Sequence, residues 1–218
     1  MKKISITVFV IVSAIHLVAA VIGHELLQMA TKPLLMLLLL LYYIVSVKEE
    51  RSMAVIAAIV LSLAGDVLLM YSTQFVEGLV AFLASHVCYI VAYRQHRDEP
   101  SENVLQGVHR IRLAFPIILA ASGLVIVLYP LLGDLKVPVI IYAAVLALMA
   151  LQALFRYGRT SSASFWMVFL GAMLFMISDS TLAINKFLTP VSNAHFWIML
   201  TYVSAQFMIV RGLVRHAQ

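Results

Sequence analysis

The chain has 218 residues, of which 63% are hydrophobic and only 11% are charged. Soluble domains carry about 25% charged residues, so this composition excludes a soluble globular protein and predicts an integral membrane protein. The net charge is +5, but no run of basic residues interleaved with aromatic ones favours nucleic acid as a partner. The single cysteine excludes an intrachain disulfide.

Apolar stretches recur along the whole chain, and a membrane-spanning helix needs about 20 mostly apolar residues. The first stretch follows Met1-Lys2-Lys3 and is longer than the apolar part of a usual signal peptide, so we expect it to be a transmembrane helix. Lys32-Pro33 marks the predicted beginning of the second span. The sequence thus predicts an all-α polytopic bundle, a single transmembrane domain over residues 1–218. Its eight predicted spans are 4–23, 33–47, 53–71, 75–93, 113–130, 137–155, 164–185 and 194–210.

The placement of Lys and Arg predicts the orientation of the spans, because cytoplasmic segments carry an excess of these residues. With the N-terminus inside, only Lys32, Lys136 and Lys186 of the 15 basic residues fall on outer segments. We therefore expect both termini in the cytoplasm (N-in/C-in). The polar stretch 94–112 becomes a cytoplasmic linker that divides the chain into four spans plus four. This spacing is compatible with a 4+4 parallel repeat, and coincidence among similar apolar helices explains it equally well.

Two carboxylates lie well inside predicted spans, Asp66 in the third and Asp179 in the seventh. A charged side chain at the centre of a membrane helix costs roughly 2.5–3.5 kcal/mol on insertion scales, so an intramembrane acid points to a functional site. Both helices run outward, and both acids lie about five residues from the outer end. This matching depth predicts that the two carboxylates face one chamber near the outer surface. The alternative is that each acid is a buried structural group.

Small and polar side chains accompany both acids. Ser62 precedes Asp66 by one helical turn, and Ser178 directly precedes Asp179. His86 and Tyr89 share one face of the fourth span, and Tyr202 and Gln206 share one face of the eighth. Buried polar groups need partners, so we expect these four side chains to face the bundle interior, either in a site or as structural groups.

Lys32 and Lys186 lie near the predicted outer interface and form a candidate anion-binding pair, although a lysine at a helix end commonly snorkels to the interface. Two carboxylates that share a site of low dielectric do not both ionise easily, so one stays protonated and the pair suits general acid–base work. The reacting bond would then belong to an amphiphile whose head group reaches the two lysines. No spacing of His or Cys argues for a metal site, and no cofactor motif is present.

In these residues the sequence resembles the YhhN-like lysoplasmalogenase family of membrane proteins. The resemblance covers nearly the whole chain, and its five short motifs occur in order on the expected helices. These motifs are Lys32-Pro33 in the second span, 62–70 in the third, 86–89 in the fourth, 178–187 in the seventh and 202–206 in the eighth.

The resemblance implies hydrolysis of the vinyl ether bond of lysoplasmalogens to a fatty aldehyde and glycerophosphocholine or glycerophosphoethanolamine. It implies Asp66 and Asp179 as the catalytic pair, with a lysophospholipid as substrate, membrane lipid as the surroundings and no cofactor or metal. In a bacterium the protein would lie in the inner (cytoplasmic) membrane. The expected substrate-binding residues are Lys32, Lys186, Asn185, His86, Tyr89, Tyr202, Gln206, Ser62 and Ser178.

Two other functions use the same residues. A proton-coupled transporter or flippase of an amphiphile would use the aspartates as a proton relay, but no matching pair of Gly/Pro-interrupted helices supports it. A structural or lipid-sensing protein would use the aspartates only to bond helices together.

Overall fold

The computed structural model describes residues 2–99 and 104–217, and across these ranges it contains helices and no strand. Eight α-helices follow one another in the chain. They are α1 (Lys2–Ile22), α2 (Glu25–Ser46), α3 (Met53–Leu68), α4 (Phe75–Gln95), α5 (Gly107–Leu128), α6 (Lys136–Leu154), α7 (Ser162–Ala183) and α8 (Ala194–His216). The predicted all-α membrane architecture is confirmed. The linker predicted over 94–112 includes residues 100–103, which lie outside the described residues.

Seven of these helices are long and apolar enough to cross a membrane. The exception is α3, whose 16 residues span about 24 Å at ~1.5 Å per residue. It ends at Leu68 rather than at the predicted residue 71, because the Met70 and Tyr71 N–H groups bond to the carbonyls three residues back, which tightens the chain into a turn. The inside–outside orientation and the 4+4 repeat stay predictions.

The predicted beginning of the second span at Lys32-Pro33 is wrong, because α2 begins eight residues earlier, at Glu25. His24 caps this helix: its Nδ1 accepts a hydrogen bond of 3.3 Å from the Leu27 N–H. Pro33 lies inside the helix rather than in its first turn. The consequence for function is that Lys32 lies about two turns into α2, not at its end.

The seventh helix also departs from the predicted geometry, because a π-helical segment, Ile184–Leu188, follows α7 directly. An α-helix places residues i, i+4 and i+7 on one face, and that register predicts Lys186 above Asp179. The wider π turn breaks the register between them. Single π turns are frequent at functional sites.

The chain divides into two compact units. The first runs to Ala92 and also includes Ala217, and the second runs from Tyr93 to His216. In the first unit α2 packs against α1 and α3. In the second unit α6 packs against α5 and α7, and α7 packs along α8. The prediction of a single domain stays a prediction.

Two glycines bring α7 and α8 into close contact. A Cβ atom on Gly171 would lie 2.9 Å from the Ala205 carbonyl oxygen and 2.8 Å from Ile209 Cγ1. A Cβ atom on Gly212 would lie 3.1 Å from the Ser164 carbonyl oxygen. Small residues let membrane helices approach closely and gain van der Waals contact, so these glycines determine the separation of α7 and α8.

We expect Gly171→Ala to destabilise the protein and Gly123→Ala to leave it unchanged or stabilise it. Gly123 faces open space within 4 Å, so alanine there adds helix propensity of up to about 1 kcal/mol. At Gly171 the same methyl group overpacks the interface, at a typical cost of about 1–3 kcal/mol. Thermal unfolding of the two variants in detergent measures both effects, and equal shifts of the same sign would contradict the close packing.

A buried arginine connects the helix ends at the opposite side of the second unit from Asp179. Arg156, just beyond α6, is 0% exposed. Its Nε donates to the His96 carbonyl at 3.1 Å, and its Nη2 donates to Ser164 Oγ at 3.0 Å. Ser164 Oγ in turn donates to the Gly212 carbonyl at 2.7 Å. One side chain thereby joins the ends of α4, α6, α7 and α8.

Candidate active site

Asp66 lies two residues before the end of α3 and is 2% exposed. The last turn of a helix carries a partial negative charge, which disfavours a carboxylate there. Lys32 of α2 offsets this: its Nζ lies 3.7 Å from Asp66 Oδ1, and both side chains are almost completely buried. The structure therefore brings two of the predicted site residues into direct contact. This contact depends on the early beginning of α2, which places Lys32 inside the helix.

The backbone around Asp66 is tightly enclosed by α4. A Cβ atom on Gly65 would lie 2.6 Å from the ring of Phe82, so only glycine leaves room for this ring. Ser62 Oγ lies 2.8 Å from Ser85 Oγ, and Ser85 donates to the Ala58 carbonyl at 2.8 Å. Ser62 thus joins α3 to α4 through a buried hydrogen-bond chain.

His86 and Tyr89 of α4 are both fully buried, as expected for the predicted polar face. The ring of His86 lies 6.5 Å from the ring of Phe82, the same ring that covers Gly65. His86 is therefore one aromatic ring away from the backbone that carries Asp66.

Asp179 lies near the end of α7 and is half-buried. Tyr142 of α6 donates its hydroxyl proton to Asp179 Oδ2 at 2.6 Å, a length typical of a hydrogen bond between a hydroxyl and a charged or strongly accepting oxygen. The sequence prediction omits Tyr142. Its signal is a tyrosine about two turns after the beginning of α6, at a similar depth to Asp179 near the end of the following helix.

Ser178 and Tyr202 connect α7 to α8, and Gln206 bonds to Tyr202 within α8. Ser178 Oγ donates to the Ile198 carbonyl at 3.0 Å. Gln206 Nε2 donates to the Tyr202 hydroxyl at 3.4 Å. The ring of Tyr202 packs edge-on against Phe175, with ring centres 5.5 Å apart. Tyr202 and Gln206 are buried as expected.

Asn185 and Lys186 lie on the π turn that follows α7. The Asn185 side-chain oxygen accepts the Val191 N–H at 3.0 Å and so shapes the connection to α8. Lys186 is exposed. It offers a cation beyond the end of the helix that carries Asp179.

The two carboxylates therefore have different partners: an ammonium group for Asp66 and a phenol hydroxyl for Asp179. An ammonium group favours an ionised carboxylate. A hydroxyl donor is neutral and adds no charge beside the carboxyl group. Within the described ranges, no group of three His, Cys, Asp or Glu side chains is placed to hold a metal ion.

The model of the YhhN family matches residues 27–213. The chain belongs to the YhhN family. It is 33% identical to human lysoplasmalogenase TMEM86B over 159 residues, which cover 72% of this chain and 62% of that protein. It is 30% identical to a lysoplasmalogenase of Mycobacterium bovis over 198 residues, which cover 87% of this chain and 71% of that protein.

The resemblance described from the motifs is thus confirmed at the level of the family. The chain spans about three fifths of the length of the human and pig TMEM86B lysoplasmalogenases. No solved structure matches the chain. The family match includes both aspartates, Lys32 and Tyr142, because all four lie between residues 27 and 213.

Proposed function

We propose that this membrane protein hydrolyses the vinyl ether bond of lysoplasmalogens, with Asp66 and Asp179 as its catalytic acids. Relatives in a mammal and in a bacterium carry the name lysoplasmalogenase. The observation that supports the chemistry best is the unequal pairing of the two intramembrane carboxylates. General acid–base catalysis needs one protonated and one ionised group, and unlike surroundings separate their proton affinities.

The pairing suggests which role each aspartate takes. Asp66 lies against the Lys32 ammonium group, so we assign it the ionised state, in which it stabilises positive charge and accepts a proton from water. Asp179 accepts a hydrogen bond from the neutral Tyr142 hydroxyl at Oδ2, so we assign it the role of general acid. Tyr142 then orients the acid.

The proposed reaction begins when Asp179 gives its proton to C2 of the alkenyl chain. The resulting cation is shared between C1 and the ether oxygen, and the Asp66 carboxylate stabilises it, as a carboxylate does for the oxocarbenium ion in glycosidases. Water adds to C1 and loses a proton to Asp66, which gives a hemiacetal. Asp66 then gives this proton to the glycerol oxygen as the C1–O bond breaks, and the hemiacetal hydroxyl gives its proton to Asp179, which releases the aldehyde and restores both aspartates.

The polar head group of the substrate would be held by two cations, Lys186 after the end of α7 and Lys32 within α2. The Lys186 ammonium group is exposed on the π turn, where it can bind the phosphate. Lys32 has three N–H donors, so its pairing with Asp66 leaves donors for the phosphate role predicted from the sequence.

The test is release of fatty aldehyde from lysoplasmenylethanolamine by the purified protein, detected by mass spectrometry after rapid trapping. In D2O we expect one deuterium at C2 of the aldehyde, because the mechanism protonates that carbon. The matched control is 1-acyl lysophosphatidylethanolamine, which lacks the vinyl ether and should release no fatty aldehyde. If no aldehyde forms while a pH gradient drives lipid uptake into liposomes, the transporter is the better interpretation.

We expect Tyr142→Phe to lower kcat by about tenfold with little change in KM. The variant removes one hydrogen bond to the proton-carrying acid, and such neutral hydrogen bonds contribute about 0.5–1.5 kcal/mol. Tyr129→Phe is the matched control, since the Tyr129 ring contacts Lys136 and its hydroxyl makes no hydrogen bond to a described residue. A positioning role also predicts an altered pH–rate profile for Tyr142→Phe, whereas a purely structural role would change only stability.

A further inference from the structure

A cavity lined by charged, hydroxyl and aromatic side chains lies at the other end of α7 from Asp179. It has a volume of about 420 Å³, and Ser162, the first residue of α7, lines it. Asp179 is 17 residues further along this helix, a distance of about 25 Å at ~1.5 Å per residue. The cavity is formed by the segment after α4 and by the connection from α6 to α7, which are predicted to face the cytoplasm. It is therefore separate from the Asp179 site.

Charges of both signs line this cavity. Asp98 and Glu99 supply carboxylates, and Arg159 supplies a guanidinium group. The structure gives neither Glu99 nor Arg159 an ion pair with any described residue. Asp98 Oδ1 lies 3.9 Å from His216 Nε2, so its contact is with a histidine rather than with Arg159. The cavity thus offers a cation and an anion that do not neutralise each other.

Hydrogen bonds order the backbone segments that carry the charged side chains of the cavity. The Asp98 N–H donates to the Arg159 carbonyl at 2.8 Å, and the Arg159 N–H donates to the Arg156 carbonyl at 3.0 Å. Thr160 Oγ1 lies 3.0 Å from His216 Nδ1. The side chains that line the cavity therefore extend from a backbone that is already ordered, which lowers the entropic cost of binding.

The remaining lining groups suit the two ends of a zwitterion. Thr160 and Ser162 bring hydroxyl groups to the side of Arg159, and hydroxyl and guanidinium donors are typical ligands of phosphate oxygens. Tyr157 and Phe165 bring aromatic rings, packed edge-on with centres 5.1 Å apart. Aromatic faces next to carboxylates are typical of sites for ammonium groups.

Neither a simple anion nor a simple cation suits this lining. An anion would meet the Asp98 and Glu99 carboxylates. A cation would meet the Arg159 guanidinium group. A ligand that carries both charges satisfies both sides.

We propose that this cavity binds a phosphodiester joined to an ammonium group. Two sources supply this chemistry: the head group of a zwitterionic membrane phospholipid, and a free water-soluble diester such as glycerophosphoethanolamine. Binding here involves no turnover, so the proposal stands or fails independently of the hydrolysis proposed above.

The test is isothermal titration of the full-length protein in detergent with glycerophosphoethanolamine, glycerol 3-phosphate and ethanolamine. We expect the zwitterion to bind at least about tenfold more tightly than either fragment, because each charge-assisted contact contributes roughly one power of ten or more. Glu99→Gln and Arg159→Gln should each weaken its binding about tenfold. Arg112→Gln, at an exposed arginine that does not line the cavity, should not.

Glycerophosphoethanolamine is also a product of the proposed reaction, so a Lys186→Met variant distinguishes the two sites. Loss of binding in Arg159→Gln but not in Lys186→Met places the ligand in the cavity, and the reverse result overturns the proposal. Equal affinity for glycerol 3-phosphate would overturn it too. Because Glu99 is exposed, its variant stays informative if Arg159→Gln does not fold.

Nanodiscs distinguish the two sources of the ligand. If phosphatidylethanolamine in a phosphatidylglycerol bilayer weakens the binding of added glycerophosphoethanolamine, the lipid head group occupies the cavity. If the lipid has no effect while the soluble diester binds, the proposal holds with the free diester as ligand. Absence of binding in both settings overturns it.

Discussion

Replacing Asp66 or Asp179 with asparagine is expected to slow vinyl ether hydrolysis by at least about a hundredfold, because a positioned general acid or base contributes roughly 10²- to 10⁴-fold. The amide keeps the shape of the carboxyl group but can neither deliver the proton to C2 nor accept one from water. For Asp179→Asn the loss should appear in kcat rather than in KM, since Asp179 has no proposed role in binding the head group. Aldehyde release at saturating substrate measures it.

Asp134→Asn provides the matched control, because Asp134 lies in the short turn before α6 and outside the candidate site. If both aspartates act on one bond, the double variant should be little slower than the slower single variant, since residues that act as a unit are not additive. A single variant with near wild-type turnover would remove that aspartate from the mechanism.

Asp66→Asn also leaves the buried Lys32 ammonium group without its carboxylate, and an uncompensated buried charge is strongly destabilising. A loss of activity in this variant alone therefore has two explanations. The pair Lys32→Met with Asp66→Asn removes both charges and should recover much of the stability without recovering activity. Recovery of activity in that pair would contradict the catalytic role of Asp66.

The two intramembrane aspartates are recognisable in the sequence as candidate site residues, whereas their partners are only partly predictable. An acid within an apolar helix is conspicuous because its burial costs free energy. The Lys32–Asp66 pair joins two residues that the sequence already marks, but the sequence places Lys32 at a helix end because Pro33 resembles a first-turn proline. The cap at His24 has no strong sequence signature, so the sequence does not predict that α2 begins at Glu25.

The contact of Tyr142 with Asp179 is not predictable from the sequence, for a different reason. Tyrosine is common in membrane helices, and its role depends on which face of α6 meets α7. The π turn after α7 is not predictable from the sequence either, because the residues from Ile184 to Leu188 continue an ordinary helical pattern. Local propensity determines which segments become helices, and tertiary packing determines the rotation of each helix and therefore the partners of its polar groups.

Arg156→Ala is expected to destabilise the second unit by about 3 kcal/mol or more, within the range for breaking a buried charged network. Burial is the main reason that the pKa of Arg156 falls to about 10, which still leaves the guanidinium protonated at neutral pH. The variant removes donors from the His96 carbonyl and from Ser164 Oγ, and it leaves a cavity where a fully buried side chain stood. For a chain of this size the loss corresponds to roughly 6–12 °C in Tm.

Arg159→Ala is the matched control, because Arg159 is only half-buried and its side chain makes no hydrogen bond to a described residue. Its Tm should change by less than about 2 °C, as for ordinary surface substitutions. Arg156→Lys should fall between the two, since one ammonium group keeps the charge but cannot reproduce the planar fork that reaches two acceptors. Trp166 and Trp197 lie in the same unit, so their fluorescence follows the unfolding directly. Equal stability of Arg156→Ala and Arg159→Ala would show that the ends of α4, α6, α7 and α8 are held together by apolar packing and not by this guanidinium group.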